Sequence, residues 1–263
     1  MAKRSDPSKA WDMYAEGHAA LRRWLGRIPD EHWQCASVLP GWTIADLAAH
    51  IAMVGDSIVA LVEARPRVVA KSIAGYISGY AQAANTISEG TRDIAADAGQ
   101  KPQEILAAVD ERFERAGEHV RRLGLGDQVV EARRGPIRLG DFLLTRVIEL
   151  VVHADDFARS LADLDAPVMP QGVQRTAVRT LLDVLVERAP GRTVEVRVPP
   201  HAAVQCIAGP RHTRGTPPNV VEMDATTWIR LAAGRTTWAG EVAEAHVSAS
   251  GDRADLSAHL PVL

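Results

Sequence analysis

Residues 146–157 have the sequence Arg146-Val-Ile-Glu-Leu-Val-Val-His-Ala-Asp-Asp-Phe157. The pattern predicts a helix in which Glu149 and His153, four residues apart, lie on one face. Because apolar residues flank this pair on nearly every side, we expect the helix to be largely buried. A buried carboxylate and imidazole cost free energy unless they are paired, hydrogen-bonded or bound to a metal. The stretch therefore predicts either an ordinary hydrogen-bonded pair or part of a metal site.

The composition is that of a soluble globular protein. The chain has 263 residues, of which 46% are hydrophobic and 24% charged, and its net charge is −3. This charge gives no reason to expect nucleic-acid or membrane partners, and no apolar run approaches the roughly 18 residues of a transmembrane helix. Neither a signal peptide nor a disulfide framework is indicated. We expect a cytoplasmic protein, as a monomer or homodimer.

Four helices are predicted in residues 1–166. Asp6-Pro7 is a typical helix start, and Thr43 and Asp46 have the spacing of a capping box. The predicted helices cover 7–27, 43–66, a segment that begins at 102, and 139–161. Residues 67–99 are predicted to be less regular but helical, and 124–135 to be a polar loop.

The periodicity changes after the boundary that we place at 166/167. A helix at about 172–188 is followed by residues 193–199, in which valines alternate with charged residues as in a half-buried strand. Further strands are predicted at 202–208, 219–223 and near 244–250, with a short helix capped by Asp224 and a last helix from Asp252. An all-helical segment followed by a small mixed segment predicts an α+β protein with domains 1–166 and 167–263.

His50 lies in the apolar stripe of the second predicted helix. If this helix neighbours the fourth, His50, Glu149 and His153 converge in the core of a bundle, where metal sites are built. Two imidazoles and a carboxylate suit Zn²⁺ or a similar divalent ion, and Asp46 and Asp156, each one turn away, are candidates to orient the imidazoles. On spacing alone, a core histidine and a helical Glu–His pair remain open alternatives.

Two segments carry a family resemblance: Leu39-Pro-Gly-Trp-Thr-Ile-Ala-Asp-Leu-Ala-Ala-His-Ile-Ala52 and Arg146-x-x-Glu149-x-x-x-His153-x-x-Asp156. Together they resemble the mycothiol-dependent maleylpyruvate isomerase family, which belongs to the DinB-like group of metal-binding four-helix bundles. The similarity covers roughly residues 8–165. It implies that His50, Glu149 and His153 are metal ligands, usually for zinc, and that mycothiol, the small thiol of actinobacteria, is a cofactor. A coordinating metal deprotonates a thiol, and the thiolate is the nucleophile.

Residues 223–235, followed by 247–252, are similar to the sterol-carrier-like domains attached to some members of that family. Arg230 and Arg235 flank the short helix of this region. An arginine that reaches the mouth of the bundle could bind a substrate carboxylate through two parallel hydrogen bonds. We predict Arg235, in the Gly-Arg turn, as this catalytic residue, with a solvated surface arginine as the alternative.

Three functions follow as hypotheses. The first is a metal-dependent, mycothiol-using enzyme, either an isomerase or a thiol S-transferase, that acts on a small electrophile. The second is a non-catalytic, sterol-carrier-like protein that binds a lipid or small ligand and has a structural metal-binding bundle. The third is a metal-binding bundle that has lost its activity and acts as a regulator or partner protein.

Overall fold

The computed structural model describes residues 4–78, 91, 93–97, 101–209 and 219–263. The chain divides into two units, Met1–Val173 and Gln174–Leu263. Among the described helices, none has both the length and the apolar character needed to cross a bilayer.

In the described residues of the first unit, four long helices form the framework. The helices are α1 (Pro7–Leu25), α2 (Ile44–Val59), the short α3 (Ile73–Ile77), α4 (Pro102–Leu123) and α5 (Leu139–Ser160). The two helix starts that the sequence predicts are confirmed. Asp6 accepts hydrogen bonds from the first turn of α1, and Thr43 and Asp46 form a capping box on α2. Each cap satisfies backbone N–H groups that a helix start otherwise leaves unpaired.

These helices pack as a bundle around one apolar core. The most extensive contacts join α2 to α4 and α1 to α5, and α2 also contacts α5. Large side chains that are fully buried between them include Tyr14, Leu21, Leu47, Phe142 and Phe157. The contact between α2 and α5 brings the two predicted ligand-bearing helices together.

A small antiparallel sheet corrects two sequence predictions. Its strands are β1 (Val62–Glu63), β2 (Val129–Ala132) and β3 (Gly135–Arg138), in that order. The predicted polar loop at 124–135 is therefore wrong, because Val130 and Ile137 face each other in the hairpin and are fully buried. The second helix ends before Pro66 because the chain leaves it to pair β1 with β2.

The predicted irregular helix over 67–99 is only partly described. Within it, α3, residue 91 and residues 93–97 are helical. Lys71 makes a parallel bridge to Ile137 instead. The rest of the prediction for 79–90, 92 and 98–99 lies outside the described residues.

The second unit contains most of α6 and a four-stranded sheet. Its elements are α6 (Gln171–Arg188), β4 (Val194–Val198), β5 (Ala202–Cys206), β6 (Val220–Met223), α7 (Ala225–Ala232), α8 (Trp238–Ala243) and β7 (Val247–Ser250). Among the described strands the order is β5-β4-β6-β7, with β4 and β6 parallel and the other two pairs antiparallel. As the alternating pattern predicts, the valines of β4 are buried. The α+β fold class is confirmed.

The predicted last helix from Asp252 is wrong. The tail contains only a 3₁₀ turn, Ser257–His259. Its buried residues are Ala254, Leu256 and Val262, a spacing that does not form one helical face. The backbone N–H of Val262 instead donates to the carbonyl of Ala232 at the end of α7.

We expect Gly55→Ala to destabilise the first unit by about 1–3 kcal/mol, the usual cost of overpacking a core. A Cβ at Gly55 would lie 2.9 Å from the backbone oxygen of Arg112 on α4, so α2 and α4 would have to separate. Urea unfolding measures the loss. Gly75→Ala in α3 is the matched control, since its Cβ would meet nothing closer than 3.4 Å. Equal stability of the two variants would show that the α2–α4 contact adapts freely.

Candidate metal centre

Two neighbouring helices bring the three predicted ligands together. His50 lies on α2, and Glu149 and His153 lie one turn apart on α5. Their side chains are 8%, 17% and 9% exposed. One potential ligand atom from each lies within 4.8 Å of the others, and among the described residues this is the one histidine, cysteine and carboxylate group with that geometry.

The carboxylate of Glu149 lies close to both imidazoles. Its Oε2 is 3.6 Å from Nε2 of His50 and 3.3 Å from Nε2 of His153. The two rings meet edge-on with their centroids 4.7 Å apart, and Trp42 packs against the ring of His50 with a centroid distance of 5.3 Å. The Nε2 atoms of both histidines therefore share one carboxylate oxygen as neighbour.

Asp156 orients His153, as the sequence predicts. Nδ1 of His153 donates to Oδ2 of Asp156 at 2.9 Å, and Asp156 is fully buried. Since an ionised carboxylate only accepts hydrogen bonds, the proton of this bond belongs to Nδ1. A neutral His153 therefore has its lone pair on Nε2, toward Glu149.

Thr91, not Asp46, is the partner of His50. Nδ1 of His50 lies 3.1 Å from Oγ1 of Thr91. The prediction for Asp46 is wrong because its carboxylate belongs to the capping box, where Oδ2 accepts from the backbone N–H and the hydroxyl of Thr43, both at 2.9 Å. The sequence analysis missed Thr91, which is 41 residues from His50 and belongs to no recognisable pattern.

Arg146 supplies the positive charge beside Glu149. Nη2 of this 5% exposed arginine lies 3.7 Å from Oε1 of Glu149. Its guanidinium also donates to the hydroxyls of Thr145 and Ser57 and lies 4.9 Å from the centre of the Phe142 ring. The buried guanidinium is thus hydrogen-bonded and paired, as a buried charge must be to avoid a large cost.

These contacts shift the three titrations in different directions. Burial alone raises the pKa of Glu149, but the hydrogen bond from His153 and the positive charge of Arg146 hold that pKa well below its usual range. Burial lowers the pKa of His153, yet its bonds to Asp156 and Glu149 outweigh this and raise the pKa. Burial lowers the pKa of His50. Without a cation, these directions favour the ionised form of Glu149, the charged form of His153 and the neutral form of His50.

The donor set fits a divalent cation. Two imidazole nitrogens and one carboxylate oxygen converge, and a hydrogen bond at Nδ1 leaves the Nε2 of each ring to act as a ligand. A catalytic zinc site typically has three protein ligands and a fourth position for water or substrate. A proton on Nε2 of His153 has to leave when a cation binds, because the metal ligand is the neutral imidazole.

Arg235 lies in the second unit, just after α7. Gly234 before it has a φ of 66°, which glycine adopts without strain. The backbone N–H of Arg235 donates to the carbonyl of Arg230 at 2.8 Å, and its Nη1 to the carbonyl of Ala233 at 3.4 Å. Its predicted catalytic role stays a prediction.

Comparison with known families decides the relationship of the first unit. Residues 14–158 match the family model described as the mycothiol maleylpyruvate isomerase N-terminal domain. The chain belongs to this family. The family resemblance seen in the two sequence segments is confirmed, and the matched region contains His50, Thr91, Glu149 and His153. Residues 171–262 match a second family model, the bacterial SCP ortholog, as the sterol-carrier-like resemblance predicts.

Solved structures support the fold of this family member. A crystal structure of the mycothiol-dependent maleylpyruvate isomerase aligns with a TM-score of 0.60 and 16% identity, over 93% of this chain and 92% of that chain. A histidine-to-alanine mutant of that isomerase aligns over the same shares at 16% identity, with a TM-score of 0.59. At this identity the likeness shows the fold alone. No curated protein matches the sequence.

Proposed function

We propose that this family member is a metal-dependent, mycothiol-using enzyme that acts on a small electrophile, as an isomerase or a thiol S-transferase. The observation that carries the proposal is the buried cluster of His50, Glu149 and His153, whose three donor atoms face one another. Membership of the family supports the choice of mycothiol, and the structurally similar enzyme is itself named as mycothiol-dependent.

In this proposal, His50, Glu149 and His153 hold a divalent ion, for which zinc best suits the donor set. When bound, such an ion binds a thiol and deprotonates it, which provides the thiolate nucleophile at neutral pH. The same thiolate serves addition to a maleyl-type substrate and transfer onto an electrophile, so the site is compatible with both reaction types.

The surrounding residues prepare the cluster for this task. Asp156 holds Nδ1 of His153 and so keeps Nε2 directed at Glu149. Arg146 keeps Glu149 ionised, since its positive charge favours the carboxylate over the acid. Low exposure of all three side chains excludes bulk water from the donor atoms, which strengthens their attraction for a cation.

Titration with mycothiol tests the proposal. We expect the protein loaded with Zn²⁺ to bind mycothiol, and the metal-free protein to bind it far more weakly. With a maleyl-type substrate, an isomerase regenerates the free thiol after each turnover, whereas an S-transferase consumes one thiol per product. Metal binding without any effect on thiol binding would contradict the proposal and favour a structural metal site in a carrier or regulatory protein.

We further propose that Arg235 binds a carboxylate of the substrate. Arg235→Ala is expected to raise KM for a carboxylate-bearing electrophile by roughly 10- to 100-fold, because a hydrogen bond to a charged group contributes about 1.5–3 kcal/mol. Arg235→Lys should recover only part of this, since lysine lacks the planar fork. Arg230→Ala, at the end of α7, is the matched control. Equal KM values for the Arg235 and Arg230 variants would contradict the assignment.

A further inference from the structure

We propose that Thr91 is a positioning residue of the metal centre, whose hydroxyl fixes His50 in the tautomer with its lone pair on Nε2. The inference rests on the proposed metal site and assigns a role to a residue outside the three candidate ligands. The proposed role of Thr91 is to orient the ring of His50 before a metal ion binds.

Among the described residues, the buried hydroxyl of Thr91 has two polar neighbours. The residue is fully buried, and its Oγ1 lies 3.1 Å from Nδ1 of His50 and 3.8 Å from Sδ of Met53. A hydroxyl has one proton to donate. A thioether sulfur has no proton to donate, so the contact with Met53 takes the hydroxyl proton. In the proposed arrangement, the hydroxyl oxygen accepts from Nδ1–H of His50.

This assignment fixes the opposite side of the ring. A neutral imidazole carries one N–H, so protonation of Nδ1 leaves a lone pair on Nε2. Nε2 faces Oε2 of Glu149 at 3.6 Å, which is too long for a hydrogen bond. In the proposed tautomer these two acceptor atoms face each other with no proton between them, an arrangement that a bound cation stabilises.

The two histidines therefore have different hydrogen-bond acceptors at Nδ1. Asp156 accepts from His153 with a charged carboxylate, which both orients the ring and makes its Nε2 a stronger donor. Thr91 accepts from His50 with a neutral hydroxyl, so its main effect is orientation. Without Thr91, the ring of His50 can place its proton on Nε2, where it blocks the ligand atom.

The tautomer can be measured directly in the wild-type protein. In metal-free protein labelled with ¹⁵N-histidine, long-range ¹H–¹⁵N spectra at neutral pH should show His50 protonated at Nδ1 and bare at Nε2. A predominant Nε2–H form would overturn the proposal without recourse to any variant. This readout needs neither bound metal nor activity, so it remains informative even if the proposed enzymatic function fails.

Variants then test whether the hydroxyl matters for metal affinity. Thr91→Val keeps the shape and removes the hydroxyl, and we expect Zn²⁺ affinity to fall by about 10- to 100-fold, the usual effect of losing such a partner. Thr91→Ser should restore most of the affinity and the Nδ1–H tautomer. Zinc competition against a chelator at fixed pH gives the constants, alongside the histidine spectra of each variant.

Thr180→Val is the matched control for loss of a buried hydroxyl. Thr180 is 5% exposed on α6, and its Oγ1 donates to the carbonyl of Thr176. We expect this variant to lose some stability and no zinc affinity. If Thr91→Val and wild type show the same zinc affinity and the same His50 tautomer, the positioning role is overturned. If the protein binds zinc as stated but never binds mycothiol, only the proposed function fails.

Discussion

Glu149→Gln is expected to remove the metal-binding capacity of the bundle. The amide has nearly the same shape as the carboxylate but no charge, so the cluster of His50, Glu149 and His153 loses its anionic ligand. Losing a ligand should weaken zinc binding by more than about 100-fold, beyond the 10- to 100-fold that outer hydrogen-bonding partners contribute. Wild-type protein should hold about one zinc ion per chain, as a single three-ligand site predicts. Metal analysis after dialysis measures both values.

A matched control lies in the second unit. Glu241 is also a buried carboxylate beside an imidazole, since it is 7% exposed and its Oε2 lies 2.8 Å from Nδ1 of His246. Glu241→Gln should therefore leave the metal content unchanged, and His50→Ala should reproduce the loss seen in Glu149→Gln. Full zinc content in Glu149→Gln, with His50→Ala equally unaffected, would place the metal elsewhere or show that the cluster is a purely structural network.

The helices and the ligand cluster could be predicted because their signals are local. The caps at Asp6 and Thr43 are set by residues within one helical turn, and Glu149 and His153 are neighbours by helical spacing alone. Adding His50 required the assumption that α2 and α5 touch, which the family resemblance supported. The four-residue spacing of Glu149 and His153 thus decided more of the site than any distant pattern.

The features that were missed depend on contacts between distant segments. Nothing in the sequence near Thr91 indicates that its hydroxyl meets His50, because that contact exists only once the chain has folded. The hairpin of β2 and β3 was missed because each strand has four residues, too few for a clear alternation. The sequence analysis assigns Asp46 to His50 because the two residues are one helical turn apart. In the structure, the carboxylate of Asp46 accepts its hydrogen bonds within the capping box instead.

His18 makes the fold sensitive to acid. This α1 residue is 4% exposed, and its ring stacks on Phe113 of α4 with centroids 4.0 Å apart and planes at 10°. Burial is the main cause that lowers the pKa of His18 to about 4, with Arg22 acting in the same direction and Asp110 opposing it. The folded protein therefore keeps the ring neutral at pH values where an exposed histidine is already charged.

The direction of the pH effect follows from where the proton binds first. In the unfolded chain this histidine has a pKa near 6.5. As the pH falls from about 6.5 to about 4, the unfolded state therefore binds a proton that the folded state does not bind. The folded state therefore keeps its full free energy of unfolding, as far as His18 is concerned, above about pH 6.5. It loses this contribution as the pH falls from about 6.5 to about 4. The difference of about 2.5 pKa units corresponds to roughly 3 kcal/mol when the pH reaches the lower end.

His18→Phe isolates this contribution, because phenylalanine can stack on Phe113 but does not titrate. Between pH 7 and pH 4.5, wild type is expected to lose about 2–3 kcal/mol more unfolding free energy than the variant. Urea unfolding at both pH values, with a chelator present to remove metal effects, measures the two losses. The larger ring carries its own packing cost, but this cost is the same at both pH values and cancels in the comparison. Equal losses in the two proteins would mean that His18 accepts its proton inside the fold, and the acid sensitivity would then come from other groups, such as His50, whose pKa burial also lowers.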